Sequence, residues 1–292
     1  MRRTIPLLAA TLSLALSLAH SPARADPAAP ADAPAPAWST GLPELAARVR
    51  VARKIVVQVA IPLCSDQQIH CGGSWAGNPA GLRTNIYWGA IFGARTIFER
   101  SDLGWERVDV SPRALPMLEQ AVYRRRVPGA AWGVEGDVEA LVVLQAFHGA
   151  HIHHAVNTLW QTALAGGEVS FRDAGRDRRE PITVAAYAGH NRLMDGLRLP
   201  PPPPSPRPIP SFVLACMSER HFGAPLRGSG SPTLLTSRAY MAPEGYVIDA
   251  VARAIAENRP APEIRSAAVD ATARWQRISR ARADAVFAPP AR

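Results

Sequence analysis

The sequence of 292 residues is poor in several features that define common protein classes. It contains three cysteines, a single lysine at Lys54, and only 7% aromatic residues. The motifs G-x-G-x-x-G, G-x-x-x-x-G-K-[ST] and G-x-S-x-G do not occur, so a dinucleotide-binding protein, a P-loop NTPase and a serine hydrolase all lose their usual support. No apolar run beyond the N-terminus approaches the ~20 residues of a membrane-spanning helix. We therefore expect no integral membrane segment in the processed chain.

The charge of the chain is positive but not concentrated. It has 33 basic and 24 acidic residues, a formal net charge of +9 at pH 7. The densest basic run, Arg124 to Arg126, is predicted to be a solvated helix end, and no basic stripe with interleaved aromatic residues occurs. Nucleic acid is therefore not an expected partner. A hydrophobic fraction of 47% with 20% charged residues is typical of a globular protein rather than of a disordered or fibrous one.

The N-terminus has the pattern of a secretory signal peptide. Arg2 and Arg3 begin it, a mostly apolar stretch over 5–18 follows, and Ala23 and Ala25 provide the small residues of an A-x-A cleavage site. We predict a signal peptide over 1–25 and a Pro/Ala-rich disordered spacer over 26–40. The processed protein is then exported, to the periplasm or the extracellular space.

Apolar runs of strand length alternate with segments of helical periodicity between residues 41 and 285. Buried strands are predicted where the apolar runs are continuous, at 54–62, 139–146, 182–188, 212–215 and 233–236, and a further short strand is predicted at 105–110. Helices are expected at 85–100, 116–125, 150–165 and 262–278, and from 242 onward. The alternation predicts a single α/β domain, with a doubly wound, mostly parallel sheet and helices on both faces. The proline-rich stretch 200–210 is interpreted as a surface loop of that domain.

The odd number of cysteines predicts one disulfide and one free thiol in an oxidising compartment. Cys64 and Cys71 are seven positions apart in a polar loop and are expected to pair. A metal-binding loop of Cys64, His70 and Cys71 is the alternative. Cys216 is then left over, directly after a predicted strand. It is either a small buried hydrophobic residue or a reactive thiol.

His190 follows its predicted strand in the same way that Cys216 follows the next one. If these strands are neighbours in a parallel sheet, both residues emerge at one edge, on chains ~4.8 Å apart. Histidine is the usual base that converts a cysteine thiol into a nucleophilic thiolate. Main-chain N–H groups near the strand ends, including that of Cys216, are suited to bind a developing oxyanion. The pair predicts a catalytic Cys-His dyad.

The same residues resemble a known group of enzymes. Gly189-His190-Asn191 and Leu214-Ala215-Cys216 are similar to the strand ends that carry His-Gly and Ala-Cys in the caspase/legumain-like (clan CD) cysteine peptidases. The resemblance implies a caspase-like three-layer sandwich, with Cys216 as nucleophile and His190 as base. It also implies an oxyanion hole and specificity pocket near Gly189, Asn191, Ser218, Thr236 and Ser237. The motifs N-x-Y-W-G-A and G-H-N-x-L-M-D resemble more closely a family of secreted bacterial proteins of unknown activity.

The sequence departs from the clan CD pattern at two points. Asn191 stands where that group has a glycine after the histidine, and 26 positions separate His190 from Cys216. A parallel crossover needs about a dozen residues or more, and much of this connection is proline. No residue that would orient His190 is evident, and Asp66 and Asn78 are the candidates near the end of the first strand.

Four histidines follow the predicted strand 139–146, namely His148, His151, His153 and His154. On a helix, His148, His151 and His154 would lie near one face, and three imidazoles suit zinc or copper. The alternative is a polar helix start that binds no metal. His148-Gly149 also repeats the His-Gly pattern, which makes His148 an alternative base for Cys216.

These features predict an exported cysteine-dependent hydrolase, specifically a peptidase, that acts on peptide or protein substrates and needs no cofactor. Cys216 would attack a carbonyl carbon, and His190 would transfer the proton. One alternative is a non-catalytic exported α/β binding protein. The other is a metalloprotein that uses His148, His151 and His154. Substrate preference and oligomeric state do not follow from the sequence.

Overall fold

The computed structural model of the chain describes residues 42–290. The predicted signal peptide (1–25) and spacer (26–40) lie outside the described residues. The strands, in chain order, are β1 (Lys54–Pro62), β2 (Glu106–Pro112), β3 (Met117–Pro128), β4 (Asp137–Phe147), β5 (Glu168–Asp173), β6 (Arg176–Pro181), β7 (Val184–Ala188), β8 (Ser211–Leu214) and β9 (Thr233–Leu235). The helices are α1 (Pro43–Ala52), α2 (Ala94–Phe98), α3 (Ile152–Ala165), α4 (Ala224–Gly228), α5 (Gly245–Ala256), α6 (Ala261–Gln276) and α7 (Arg280–Asp284).

Seven of the strands form one sheet, in the order β2-β3-β4-β1-β7-β8-β9. The strands from β4 to β9 in this order pair in parallel, whereas β2, β3 and β4 pair antiparallel. Strands β5 and β6 form a separate two-stranded hairpin. The prediction of an α/β fold with a mostly parallel sheet is therefore confirmed. The short strand predicted at 105–110 corresponds to β2, whereas strand β3 and the antiparallel pairing at this edge were not predicted.

The core follows from the continuous apolar sequence of the central strands. Alternate side chains of β1, such as Ile55 and Val57, pack into a cluster with residues of α1, α2, α5 and α6. The intervening Val56 and Ala60 pack on the other side with residues of α3 and α4. Side chains alternate between the faces of a strand, so a strand buried on both faces is apolar throughout. This burial fixes the register of β1 and the position of its carboxyl end.

The predicted helix over 85–100 is wrong except for its last part, because only Ala94–Phe98 is helical. Asn85 accepts a hydrogen bond from the N–H of Tyr87, a local side-chain contact that competes with helix formation. At Gly89 a Cβ would lie 2.2 Å from the carbonyl oxygen of Leu82. The segment before α2 is therefore a series of tight turns, and its apolar residues pack without helical geometry.

The predicted helix over 116–125 is also wrong, because this segment belongs to strand β3. Ala121, Val122 and Tyr123 are all buried, and β3 pairs with β2 on one side and β4 on the other. A short run buried on both faces cannot be assigned to strand or helix from periodicity alone. Arg124 accordingly lies on a strand rather than at a helix end.

The proline-rich stretch 200–210 contains no helix or strand. It returns the chain from β7 to β8, and near its end the N–H of Ile209 donates to the carbonyl oxygen of Ala163 in α3 at 2.8 Å.

Near the C-terminal end of the described residues, Phe287 is fully buried and forms a β-bridge with Ser237. Among the described residues, no helix has both the length and the apolarity needed to cross a membrane.

Candidate active site

His190 and Cys216 lie at the same level of neighbouring parallel strands. The register pairs Ala188 at the end of β7 with Leu214 at the end of β8, and each of the two residues follows its paired residue by two positions. The N–H of Gly189 extends the ladder by donating to the carbonyl oxygen of Leu214 at 3.1 Å. Neighbouring chains of a sheet are ~4.8 Å apart, so the backbones of His190 and Cys216 are adjacent. The connection of β7 to β8 contains no helix, and the loop 189–210 alone provides the crossover.

Gly189 allows the chain of His190 to approach the end of β1 closely. A Cβ at Gly189 would lie 2.7 Å from the Cγ atom of Pro62 and 3.3 Å from the hydroxyl of Tyr187. The Tyr187 hydroxyl donates a hydrogen bond of 2.6 Å to the carbonyl oxygen of His190. The glycine and the tyrosine therefore fix where the main chain of His190 leaves the sheet.

Asn191 ties the two strand ends to each other. Its side chain is completely buried, and its Nδ2 donates to the carbonyl oxygen of Cys216 at 2.6 Å. Its Oδ1 accepts from the N–H of Leu193 at 3.1 Å. The side chain at this position therefore holds the main chains of the two candidate residues together, and its polar atoms are used within the protein.

Cys216 is a free, half-buried cysteine in a sharp turn after β8. The N–H of Ser218 donates to the carbonyl oxygen of Ala215 at 3.2 Å, and Met217 inside this turn has a φ of 52°. Positive φ is uncommon for a residue with a side chain and marks local strain. The Sγ atom of Cys216 lies 3.5 Å from the carbonyl oxygen of Met241. The turn presents the thiol at the carboxyl edge of the sheet.

The serines predicted near the pocket stabilise this turn from inside. Ser218 and Ser237 are fully buried. The Ser218 hydroxyl donates a hydrogen bond to the carbonyl oxygen of Val213 at 2.9 Å. The same hydroxyl accepts a hydrogen bond from the N–H of Ser237 at 2.8 Å. The Ser237 hydroxyl donates to the carbonyl oxygen of Ala215. Thr236 is also buried, and its hydroxyl donates to a carboxylate oxygen of Glu219. All three side chains make their hydrogen bonds within the protein, so they position the turn.

Asp195 is the partner of His190 that the sequence analysis missed. Its Oδ2 atom lies 2.7 Å from Nε2 of His190, and the imidazole is 13% exposed against 45% for the carboxylate. Arg192 flanks this carboxylate with its Nε atom 3.5 Å away. The predicted candidates are used elsewhere, because Asp66 accepts from the N–H of Cys71 and Asn78 accepts from the N–H of Ala80. An acidic residue five positions after the histidine was the only signal in the sequence.

The side chains of His190 and Cys216 have different partners in this conformation. Nε2 of the imidazole faces Asp195, Sγ faces the carbonyl of Met241, and no hydrogen bond joins these two described side chains to each other. Burial raises the pKa of Tyr87, and negative charge at Cys216 and Glu244 raises it further. Tyr87, from the N-x-Y-W-G-A motif, is therefore a neutral hydroxyl in the vicinity of the thiol.

The predicted disulfide between Cys64 and Cys71 is confirmed, with a Cα–Cα distance of 6.1 Å. The pairing overturns the alternative of a metal-binding loop that uses both thiols, because a disulfide sulfur is not a thiolate ligand. Asn85 anchors the loop: its buried side chain accepts from the N–H of Cys64 at 3.0 Å and donates to the carbonyl oxygens of Cys64 and Asn78 at 2.8 and 2.9 Å. The loop is thereby fixed at the carboxyl end of β1.

The alternative base, His148, lies at the end of β4, which β1 and β7 separate from β8. Three strand spacings amount to roughly 14 Å, so His148 is out of reach of Cys216. The structure also changes the predicted metal-ligand set. The ligand atoms that lie within 4.8 Å of one another belong to His151, His153 and His154 rather than to the predicted set with His148.

Comparison with known proteins does not identify a relative. No family model matches the sequence, and neither a curated protein nor a solved structure matches it significantly. The resemblance to the clan CD peptidases therefore stays a prediction that depends on the residues and positions described above.

Proposed function

We propose that the protein is a cysteine-dependent hydrolase, a peptidase in which Cys216 and His190 form a dyad. The observation that carries the proposal is the register of β7 and β8, which brings the two residues to one level at the carboxyl edge of the sheet. Sites in sheets of parallel strands form outside this edge. The adjacency of the two strands also agrees with the resemblance to a caspase-like, doubly wound sandwich.

The proposed chemistry is acyl transfer through a thioester. His190 removes the thiol proton of Cys216, the thiolate attacks the carbonyl carbon of a peptide bond, and the amine leaves with a proton from His190 as the C–N bond breaks. Water then attacks the thioester, the C–S bond breaks, and Cys216 regains its proton. Since Asp195 faces Nε2 of His190, Nδ1 is the nitrogen available to the thiol. A side-chain rotation must bring the two together, and such contacts are often long in a free enzyme.

Two main-chain N–H groups at this edge suit the oxyanion that forms on the substrate. Within the described part of the chain, the N–H groups of Asn191 and Cys216 donate to no main-chain carbonyl oxygen. Unpaired N–H donors fixed beside a nucleophile stabilise negative charge as it develops. Asn191 in place of glycine does not remove this donor, because its side chain is turned inward towards the carbonyl of Cys216.

We further propose that the protein works in an oxidising compartment, the periplasm or the extracellular space. The Cys64–Cys71 disulfide supports this location, since such bonds persist mainly after export. A peptide or protein is the proposed substrate.

The test measures the rate at which iodoacetamide alkylates Cys216 as a function of pH. We expect a thiolate in the native protein to react below neutral pH, and His190→Ala to move the profile to the ~8.5 of an ordinary thiol. His70→Ala is the matched control, because this exposed histidine lies in the disulfide loop. Mass spectrometry identifies the labelled cysteine.

Peptide hydrolysis provides the second measurement. The protein is incubated with a mixture of unstructured peptides, and new N-termini are counted for the native chain and for Cys216→Ala. Cleavage that is lost in Cys216→Ala supports a peptidase. An alkylation profile that His190→Ala leaves unchanged, together with no cleavage, would refute the proposal and leave a non-catalytic binding protein as the better description.

A further inference from the structure

The start of α3 carries a concentration of imidazoles that the proposed hydrolase does not use. His148 and His151 have ring centroids 5.3 Å apart, and those of His153 and His154 are 4.2 Å apart. His151 lies 6.2 Å from His153 and 6.1 Å from His154 by the same measure. This group lies at the end of β4, whereas the candidate dyad lies at the ends of β7 and β8. The two features are separate.

The backbone beneath the cluster is held by three other parts of the chain. The N–H of His148 donates to the carbonyl oxygen of Pro116 at 2.9 Å, and that of Gly149 donates to the carbonyl oxygen of Pro79 at 2.9 Å. Gln68 in the disulfide loop donates to the carbonyl oxygen of Gly149 at 2.9 Å. The main chain of the cluster is therefore fixed before any ligand binds, which reduces the entropy lost on binding.

Ion pairing does not explain the histidine cluster. Among the described residues, none of the four histidines forms an ion pair with a carboxylate. The ring nitrogens of His151, His153 and His154 are therefore not held by a carboxylate and are available as metal ligands.

The three donor atoms are close enough for one ion. Those of His151, His153 and His154 all lie within 4.8 Å of one another. Zinc–nitrogen bonds of about 2.0–2.1 Å place the donors of a tetrahedral site ~3.4 Å apart. His153 and His154 are exposed, so rotation of these side chains closes the remaining gap at little cost. His148 is not part of this group of donor atoms, and its Nδ1 already accepts from the N–H of Ala150 at 3.2 Å.

We propose that His151, His153 and His154 form a binding site for one divalent transition-metal ion. Three imidazoles suit copper and zinc, and the Irving–Williams order makes Cu²⁺ the tighter of the two. With three protein ligands and exposed side chains, the ion keeps a coordination position for water or another small ligand.

The experiment titrates untagged, metal-free full-length protein with ZnCl₂ and with CuCl₂ by isothermal calorimetry. We expect one ion per chain, with Cu²⁺ bound more tightly than Zn²⁺, and a rise of the melting temperature in the presence of Zn²⁺. His151→Gln is expected to weaken binding at least 100-fold, which is the upper end of the effect of losing an outer-shell partner. His221→Gln is the matched control and is expected to leave both measurements unchanged.

Two results would overturn the proposal. One is binding that His151→Gln and His154→Gln leave unchanged, in variants whose melting temperature without metal equals that of the native chain. The other is binding that disappears in Cys216→Ser, which would place the metal at the thiol instead.

Discussion

Replacement of Asn191 by alanine tests the link between the two strand ends. The completely buried side chain makes two hydrogen bonds, to the carbonyl oxygen of Cys216 at 2.6 Å and from the N–H of Leu193 at 3.1 Å. A buried hydrogen bond contributes ~1 kcal/mol net, and a buried partner left unpaired costs about 1–3 kcal/mol. Because Leu193 is half-buried and water can reach it, the main loss is at Cys216. We expect Asn191→Ala to lower the free energy of unfolding by about 2–4 kcal/mol.

Urea denaturation followed by tryptophan fluorescence measures this loss. For a domain of this size, it corresponds to a fall in melting temperature of roughly 5–15 °C. Asn78→Ala is the matched control, since Asn78 is exposed and its side chain accepts one hydrogen bond from the N–H of Ala80. We expect that control to cost less than about 1 kcal/mol. Equal losses of unfolding free energy in the two variants would refute the interpretation that the buried side chain of Asn191 links the two strand ends.

The same variant has a second expected effect, on the chemistry of the thiol. If Asn191 holds His190 beside Cys216, the effect of His190→Ala on alkylation is large in the native chain and small in the Asn191→Ala background. A double-mutant comparison of the four proteins measures this coupling. Additive effects would show that the side chain of Asn191 stabilises the loop without aligning the dyad.

Three further predictions concern the surroundings of the site. Asp195→Asn is expected to slow alkylation of Cys216 below neutral pH without changing stability by more than about 0.5 kcal/mol, because the carboxylate that orients His190 is half-exposed. The Arg178 guanidinium holds the pKa of Asp173 below its usual range. The stabilisation from this pair is therefore fully present above the unfolded pKa of ~3.9 and is lost as the pH falls through the lower pKa of the folded protein. Arg178→Gln is expected to make the free energy of unfolding depend less steeply on pH in this range, as measured by acid unfolding followed by circular dichroism. Gly149→Ala places a Cβ 2.5 Å from the carbonyl oxygen of Leu63 and is expected to cost about 2 kcal/mol in urea denaturation and to weaken Zn²⁺ binding.

The sequence predicts the central strands well because a strand that is buried on both faces is a continuous run of apolar residues. The apolar runs at β1, β4, β7 and β8 fall within two residues of their predicted bounds. The errors occur where an apolar run has two explanations. The pattern predicts a helix where strand β3 forms, since a short segment buried on both faces has no distinctive period. It also predicts a helix over 85–93, where Asn85 and the close contacts at Gly89 impose turns.

The site is predicted less completely than the sheet, for a different reason. That His190 and Cys216 both follow strands is visible in the sequence, but the pairing of those strands is a long-range property. Asp195 was missed because its contact with His190 depends on the path of the loop after β7. The candidate Asp66 failed for the same reason, since the disulfide loop turns its carboxylate towards the N–H of Cys71.

The asparagines of the two motifs, Asn85 and Asn191, have structural roles that do not depend on any chemistry at the site. Asn85 and Asn191 use their side-chain atoms to hold main-chain groups at Cys64 and Cys216, so a purely structural protein with this fold would keep both. A half-buried free thiol beside a histidine–carboxylate pair has no such structural requirement, and in an oxidising compartment it is open to oxidation. The hydrolase proposal therefore depends on Cys216, and Cys216→Ser is the variant that keeps the shape of the edge while removing its nucleophile. Native melting behaviour in that variant, together with lost peptide cleavage, would assign the thiol to catalysis rather than to packing.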